Sequence, residues 1–313
     1  SLDALSPDQA ALTVLDAILS KGESSRLYQS MVYTQQVATQ VFTFNEVTRD
    51  PGAYSLIAIL SEGQSADAGL QSLLAEIARV RDGAVTAAEL EEANNELVSE
   101  ALRNRETAFG RGMELANSLI RYRDARYADK ILNAIQTVTA ADVQRAAKAV
   151  LDDNRRVSIR YLPEEARPPG AESDRIASSA TIQAQKLDLP RSEIASRVLA
   201  PEVERAKPPA PSAPVSAKLP AAAEGVLANG LRVIIAPKRD LPLLSAELRV
   251  LSGSSSDPAG KGGLASFVAV LTTKGTRTRS ATEIARQIES LGALLSAAAA
   301  ADSPGQDRGN TSY

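Results

Sequence analysis

The sequence predicts an α+β protein in which two folded segments are joined by a proline-rich linker. Three observations lead there. Residues 1–163 alternate helical and strand-like apolar patterns. The run Lys207–Pro220 (KPPAPSAPVSAKLP) is composed as extended, semi-rigid linker. From Glu224 a hairpin signal is followed by two short helical patterns. The expected division is therefore 1–163, a linker over 164–222, and a second segment over 223–313.

Each element has its own local reason. Ser6-Pro7-Asp8 starts a helix, with Leu12, Val14, Leu15 and Leu19 on its apolar face and Gly22 as its stop. Ser24 and Ser25 open the next helix, through Leu27, Tyr28 and Met31. Val37–Asn45 is rich in Val, Phe and Thr and reads as a strand. Ala53–Leu60 (AYSLIAIL) is a continuous apolar run entered through the turn Arg49–Gly52, and reads as a buried strand. Ala66–Arg81 is amphipathic through Leu70, Leu73, Leu74, Ile77 and Val80. Thr86-Ala87-Ala88-Glu89 is a capping box opening a long helix that runs to or past Arg103. Thr139, with Asp142 three residues on, opens a helix to Leu151, and Arg156–Tyr161 alternates like a strand. A short helix is expected over Arg191–Leu199. In the second segment, Asn229-Gly230 sits between the apolar runs of Val226–Pro237 and marks a hairpin. Leu243–Leu251 reads as a strand, Gly263–Thr272 and Ala281–Leu291 as helices, and Leu294–Ala299 as a last strand.

Composition bounds the chemistry. A chain of 313 residues is long enough for two domains. Aromatic residues are 4% and Trp is absent, so Ala, Leu and Val must fill the core, which favours close-packed helices. A net charge of −3 provides no electrostatic footprint for nucleic acid or an anionic membrane. No apolar run is long enough to span a bilayer. The absence of cysteine removes disulfides, thiolate nucleophiles and Cys-ligated metals together. Histidine is also absent. Only Asp and Glu remain as anionic ligands, which suit calcium or magnesium rather than zinc, and no Asp/Asn/Gly run has calcium-loop spacing. The chain starts Ser1-Leu2-Asp3 with no signal-peptide pattern, and an upstream portion or processing is expected.

The stretch Gly263–Thr276 (GLASFVAVLTTKGT) carries the strongest functional signal. It resembles the zinc helix of the insulinase/pitrilysin peptidases, G-L-A-H-x-x-E-H-x-x-x-K-G-T, in which two His ligands and a Glu base share one helical face. Gly263, Leu264, Ala265, Lys274, Gly275 and Thr276 keep the frame, whereas the three chemical positions hold Ser266, Ala269 and Val270. On periodicity alone this is a core helix, with Leu264, Phe267, Val268 and Leu271 as its apolar face. Ser266 has no histidine base, and Lys274 lies two turns away.

Other motifs extend the resemblance. Asn229-Gly230-Leu231, Gly253-Ser254-Ser255, Asp257 and Gly262-Gly263 are similar to the approach to the family's zinc helix, and Thr282–Gly292 to the helix that follows. Gly22–Tyr28 (GESSRLY), Asp50-Pro51-Gly52 and Val85–Leu90 are similar to a later half of a family domain. Where active relatives carry an Arg and a Tyr after S-S-R-L, this chain has Val32 and Thr39; Arg26 reads as a structural helix residue, and Glu91, Glu92 and Arg121–Arg126 as solvated helix faces.

The resemblance implies the tail half of one unit followed by the head half of a degenerate second unit. It implies helices packed on mostly antiparallel sheets, and two units closing on a peptide or unfolded protein as a chamber. No catalytic, metal or cofactor residue is expected in this chain; zinc is expected in an upstream unit or a paired subunit. The alternative is a catalytically dead structural or binding subunit of a larger complex. The periplasm is the expected compartment and the cytoplasm the alternative, with neither a nucleic-acid partner nor a membrane span. Residues Ser303–Tyr313 lose strand character where the family continues a sheet, so a fragment or altered terminus is expected.

Overall fold

The computed structural model describes residues 6–47, 52–163, 201–205 and 221–300, and the backbone of 311–312. The chain packs as two units. One joins residues 1–161 with 241–313; the other is 162–240.

The larger unit is organised around α1 (Gln9–Ser20). Leu12, Val14, Leu15 and Leu19 are fully buried, as their spacing predicts, and Ala10, Ala11, Ala17 and Ile18 are buried as well. The helix is therefore enclosed on nearly every side rather than amphipathic, and alanine is what allows its neighbours to approach so closely. Gly22, at φ +78°, ends it, and a π-helical turn follows over Tyr28–Thr34. Leu27 and Met31 from this stretch complete the core.

Strands β1 (Ala38–Asn45) and β2 (Tyr54–Leu60) pair antiparallel, with Val41 opposite Ala58 and Thr43 opposite Leu56. Ala38, Val41 and Thr43 face the core. Thr43 donates to Asp16 on α1 at 2.5 Å, and Tyr54 donates to the same carboxylate oxygen at 3.1 Å. Burial first, then the charge of Asp16, raises the Tyr54 hydroxyl well above its ordinary pKa and keeps it a donor. The expectation of a fully buried second strand needs correcting. Leu56 and Ala58 pack on the core, but Ile57 and Ile59 are exposed at 39% and 47%. An apolar run reports hydrophobicity on both faces, and here only one face is covered.

Helices α2 (Ala66–Asp82), α3 (Ala87–Asn104), α4 (Ala108–Tyr122), α5 (Tyr127–Thr137) and α6 (Ala140–Val150) complete this part. The predicted capping box forms at Thr86 with Glu89, and the cap expected at Thr139 is a second box, closed by Asp142. Thr107 caps α4 by accepting from the Gly110 N–H at 3.0 Å, so α3 stops at Asn104 and a new helix begins. Arg156–Tyr161 is not a strand: Val157 and Ile159 are 84% and 74% exposed. Alternation supplies a pattern, but a strand also needs a ladder partner, and among the described residues it has none.

The smaller unit holds a short helix, α7 (Glu202–Arg205), and the predicted hairpin, β3 (Ala223–Val226) with β4 (Arg232–Ile235). Gly230 turns it at φ +85°, and the Asn229 side chain accepts the Leu231 N–H at 3.1 Å. The helix expected over Arg191–Leu199 and the turn at Arg49–Pro51 lie outside the described residues.

The rest of the larger unit carries β5 (Arg249–Val250), α8 (Leu264–Leu271), α9 (Ala281–Glu289), β6 (Ala298–Ala299) and β7 (Thr311–Ser312). Strand β7 pairs antiparallel with both β5 and β6. The strands expected over Leu243–Leu251 and Leu294–Ala299 shrink to two residues each, for the same want of a long partner. The expected loss of strand character after Ser303 meets one short strand, β7. Among the described residues every strand pair is antiparallel, and helices outweigh sheet: the fold is α+β.

Candidate functional site: the α8 frame and the serine–glutamate junction

Asp257 builds the entry to α8. Its carboxylate accepts the Gly263 N–H at 2.8 Å and the Ala265 N–H at 2.9 Å, satisfying donors that a helix N-terminus leaves open. Gly263 holds φ +95°, a conformation that suits glycine. The frame residues thus have a local structural role independent of any metal.

The three chemical positions diverge. Ser266 is exposed, Ala269 is fully buried and Val270 is 56% exposed. The donor set does not fit zinc: a methyl, an isopropyl group and one unactivated hydroxyl occupy the places where two imidazoles and a carboxylate would be needed. Among the described residues no three His, Cys, Asp or Glu side chains cluster so as to hold a metal ion. Lys274 gives its Nζ to Glu23 at 2.6 Å, and this hydrogen bond raises its pKa. It is held as a cation and is no base for Ser266.

The core-helix expectation for this stretch also needs correcting. Phe267 is 62% exposed, and Leu264, Val268 and Leu271 are 40–46% exposed. Only Ala269 turns fully inward among the helix's residues. Periodicity identified the helix but not its cover.

The second half of the site is the junction of the Gly22–Tyr28 loop, α3 and the end of α9. Glu289 accepts the backbone N–H groups of Glu23 at 2.8 Å and Ser24 at 2.9 Å. The Ser24 hydroxyl lies in hydrogen-bond contact with both Glu289 and Glu92. Burial raises the pKa of Glu92, with the charge of Glu289 adding to it and the Ser24 hydrogen bond opposing it. Glu96, one turn on, is pushed up to about 7, chiefly by burial; Lys21 opposes the shift, and Glu289, Glu100 and Glu92 add to it. Ser24, Glu92 and Glu96 line a cavity of about 300 Å³ with Lys21, Arg26 and Arg286.

Arg26 is the structural anchor its sequence setting predicts. Its Nε and NH2 bond Glu89 at 2.6 and 3.0 Å, and NH2 also reaches the Ala84 carbonyl at 3.0 Å. Burial opposes ionisation of Glu89, but the bonds from Arg26 and Thr86 overcome it and hold the carboxyl at about 2. Glu92, expected on a solvated face, instead turns toward Ser24. Val32 packs against the core, and Thr39 donates to the Ile59 carbonyl at 3.2 Å. Glu96 and Glu289 had no motif to mark them; only burial and the meeting of distant segments make them notable.

The end of α9 is fixed from α3. Asn95 donates to the Ser290 carbonyl at 2.8 Å and Arg103 to the Gly292 carbonyl at 2.9 Å. A Cβ on Gly292 would stand 2.3 Å from the Asn95 carbonyl oxygen and from Ser99 Oγ, and its φ is +62°. Only glycine permits that approach.

Residues 2–97 match the family model for the Peptidase M16 inactive domain, and residues 232–303 match that for Insulinase (Peptidase family M16). No protein of curated function matches the chain. Among solved structures, a candidate zinc protease from Bordetella pertussis Tohama I is 29% identical over 51% of this chain and 88% of its own, with a TM-score of 0.47. The inactive peptidase domain of a candidate zinc protease from Bordetella parapertussis is 29% identical over 53% of this chain and 90% of its own, with a TM-score of 0.48. A peptidase M16 inactive domain from Pseudomonas fluorescens is 19% identical over 48% of this chain and 36% of its own, with a TM-score of 0.39. Among the described residues no helix is long and apolar enough to cross a membrane. The two matched segments, an inactive-domain segment followed by an insulinase segment, are what this chain shares with the insulinase family of peptidases, M16.

Proposed function

We propose that this chain is a non-catalytic region of a two-unit zinc metalloendopeptidase, forming part of the wall of a chamber that takes peptides or unfolded proteins. The observation that carries the proposal is the intact frame of Gly263–Thr276 with Ser266, Ala269 and Val270 in its three chemical positions, in a chain without histidine. The match of residues 2–97 to an inactive-domain model supports it. Hydrolysis then belongs to a zinc helix in another unit, on the same polypeptide or a paired subunit.

The test is a cleavage assay on an unfolded peptide with the full chain alone, with a zinc-bearing family unit alone, and with both. The expected result is no cleavage by the chain, and chelator-sensitive cleavage that rises when both are present. Cleavage by the chain alone would overturn the reading. No effect of the chain on an active unit would favour a purely structural or binding subunit.

A further inference from the structure

A larger cavity, of about 720 Å³, opens where α4 and α5 pack beside the start of α1. It takes no part in the α8 frame or the serine–glutamate junction. Its walls include Phe109, Met113, Tyr122, Tyr127 and Ile131. Phe109 is 78% exposed and Met113 46%, so both hold apolar surface open to an incoming group. Tyr122 and Tyr127 stack face to face at 3.5 Å and present a flat wall.

One residue lining this cavity is anomalous. Gln9 is 3% exposed, and among the described residues neither its amide nitrogen nor its amide oxygen has a hydrogen-bond partner. Buried polar side chains are normally paired, and each exception calls for a reason. The neighbouring polar groups do not supply one. Thr13 gives its hydroxyl to the Gln9 backbone carbonyl, Arg103 is committed to Gly292, and Arg105 to Glu114 and Asp129.

We infer that this cavity binds an amide-bearing ligand with an aromatic or apolar body, and that Gln9 reads the amide. A carboxamide offers a donor and an acceptor side by side. A primary amide, or the N–H and C=O of one extended peptide residue, returns the complementary pair and satisfies both at once. The apolar walls take the body of the ligand, and the volume lies within the range of small-molecule sites. Both Gln9 amide atoms are shielded from solvent in the ligand-free chain, so binding requires the Gln9 side chain to rotate into the cavity. The inference stands independently of the peptidase reading.

The chain contains no tryptophan, so an indole probe supplies all the tryptophan-type fluorescence. The experiment titrates the full chain against indole-3-propionamide, its methyl ester counterpart, and a blocked pentapeptide with one internal Trp, reading anisotropy. The amide is expected to bind saturably and at least about tenfold tighter than the ester. Gln9→Met should bring the amide down to the ester's affinity while raising the Tm of the free protein, because the orphaned groups are gone. Phe109→Ala, at an exposed position, should weaken every probe and is unlinked to folding of the core. Pentapeptide binding as tight as the amide would assign the site to peptide segments, and weaker pentapeptide binding to small carboxamides. No saturable binding up to millimolar probe, equal affinity for ester and amide, or unchanged amide affinity in Gln9→Met would overturn the inference.

Discussion

Glu96 and Glu89 sit less than two helical turns apart on α3 and titrate in opposite directions. Glu89 is held at about 2 by Arg26 and Thr86, while burial lifts Glu96 to about 7. The signs follow from linkage. The stability Glu89 contributes is present above its unfolded value of 4.5 and is lost as pH falls through about 2. The stability associated with protonated Glu96 is complete below 4.5 and is lost as pH rises through about 7. After allowance for solvent screening, the Glu96 effect is about 1–2 kcal/mol. Glu96→Gln should therefore flatten the decline in denaturant stability between pH 4.5 and 7, leaving the acid limb to Glu89. An unchanged slope in that variant would mean that Glu96 titrates normally. None of this was legible in the sequence, where Glu96 is one acidic residue among several on an amphipathic helix. Arg26, by contrast, was readable as a structural residue from its place after Ser24-Ser25.

At the scale of elements, the junction of the Gly22–Tyr28 loop with α9 rests on Glu289. Its carboxylate serves two backbone N–H groups and the Ser24 hydroxyl. Glu289→Ala leaves those donors unpaired and should cost about 2 kcal/mol. Hydrogen exchange at the Glu23 and Ser24 amides should accelerate, while the amides of α1 stay protected. Equal acceleration throughout would mean a global loss of stability instead of a local release. Helices whose ends carry chemistry were the legible elements: the capping box at Thr86, the cap at Thr139, the stop at Gly22 and the turn at Asn229-Gly230 form as their residues dictate. The boundary between α3 and α4 was missed because the pattern of α3 carries no glycine or proline stop, and Gly110 and Gly112 lower the helix propensity of the segment that Thr107 caps. The strands at Arg156–Tyr161 and Leu243–Leu251 failed for another reason. Alternation is local, while pairing depends on a partner elsewhere in the chain.

Across the whole molecule, the family's two segments meet within one packing unit: residues 22–28 and the first part of α3 from the inactive-domain match, and α9 from the insulinase match. The fold class and the order of the segments were legible because they rest on spaced motifs. The exposure of α8 was not, because an apolar helix reads the same whether or not something covers it. The central claim is that this chain retains the frame of a zinc peptidase and none of its zinc chemistry. The most direct measurement is the metal content of the purified full chain after saturation with zinc and dialysis against a chelator. The account predicts far less than one zinc per chain. One tightly held zinc per chain, surviving the chelator, would contradict it.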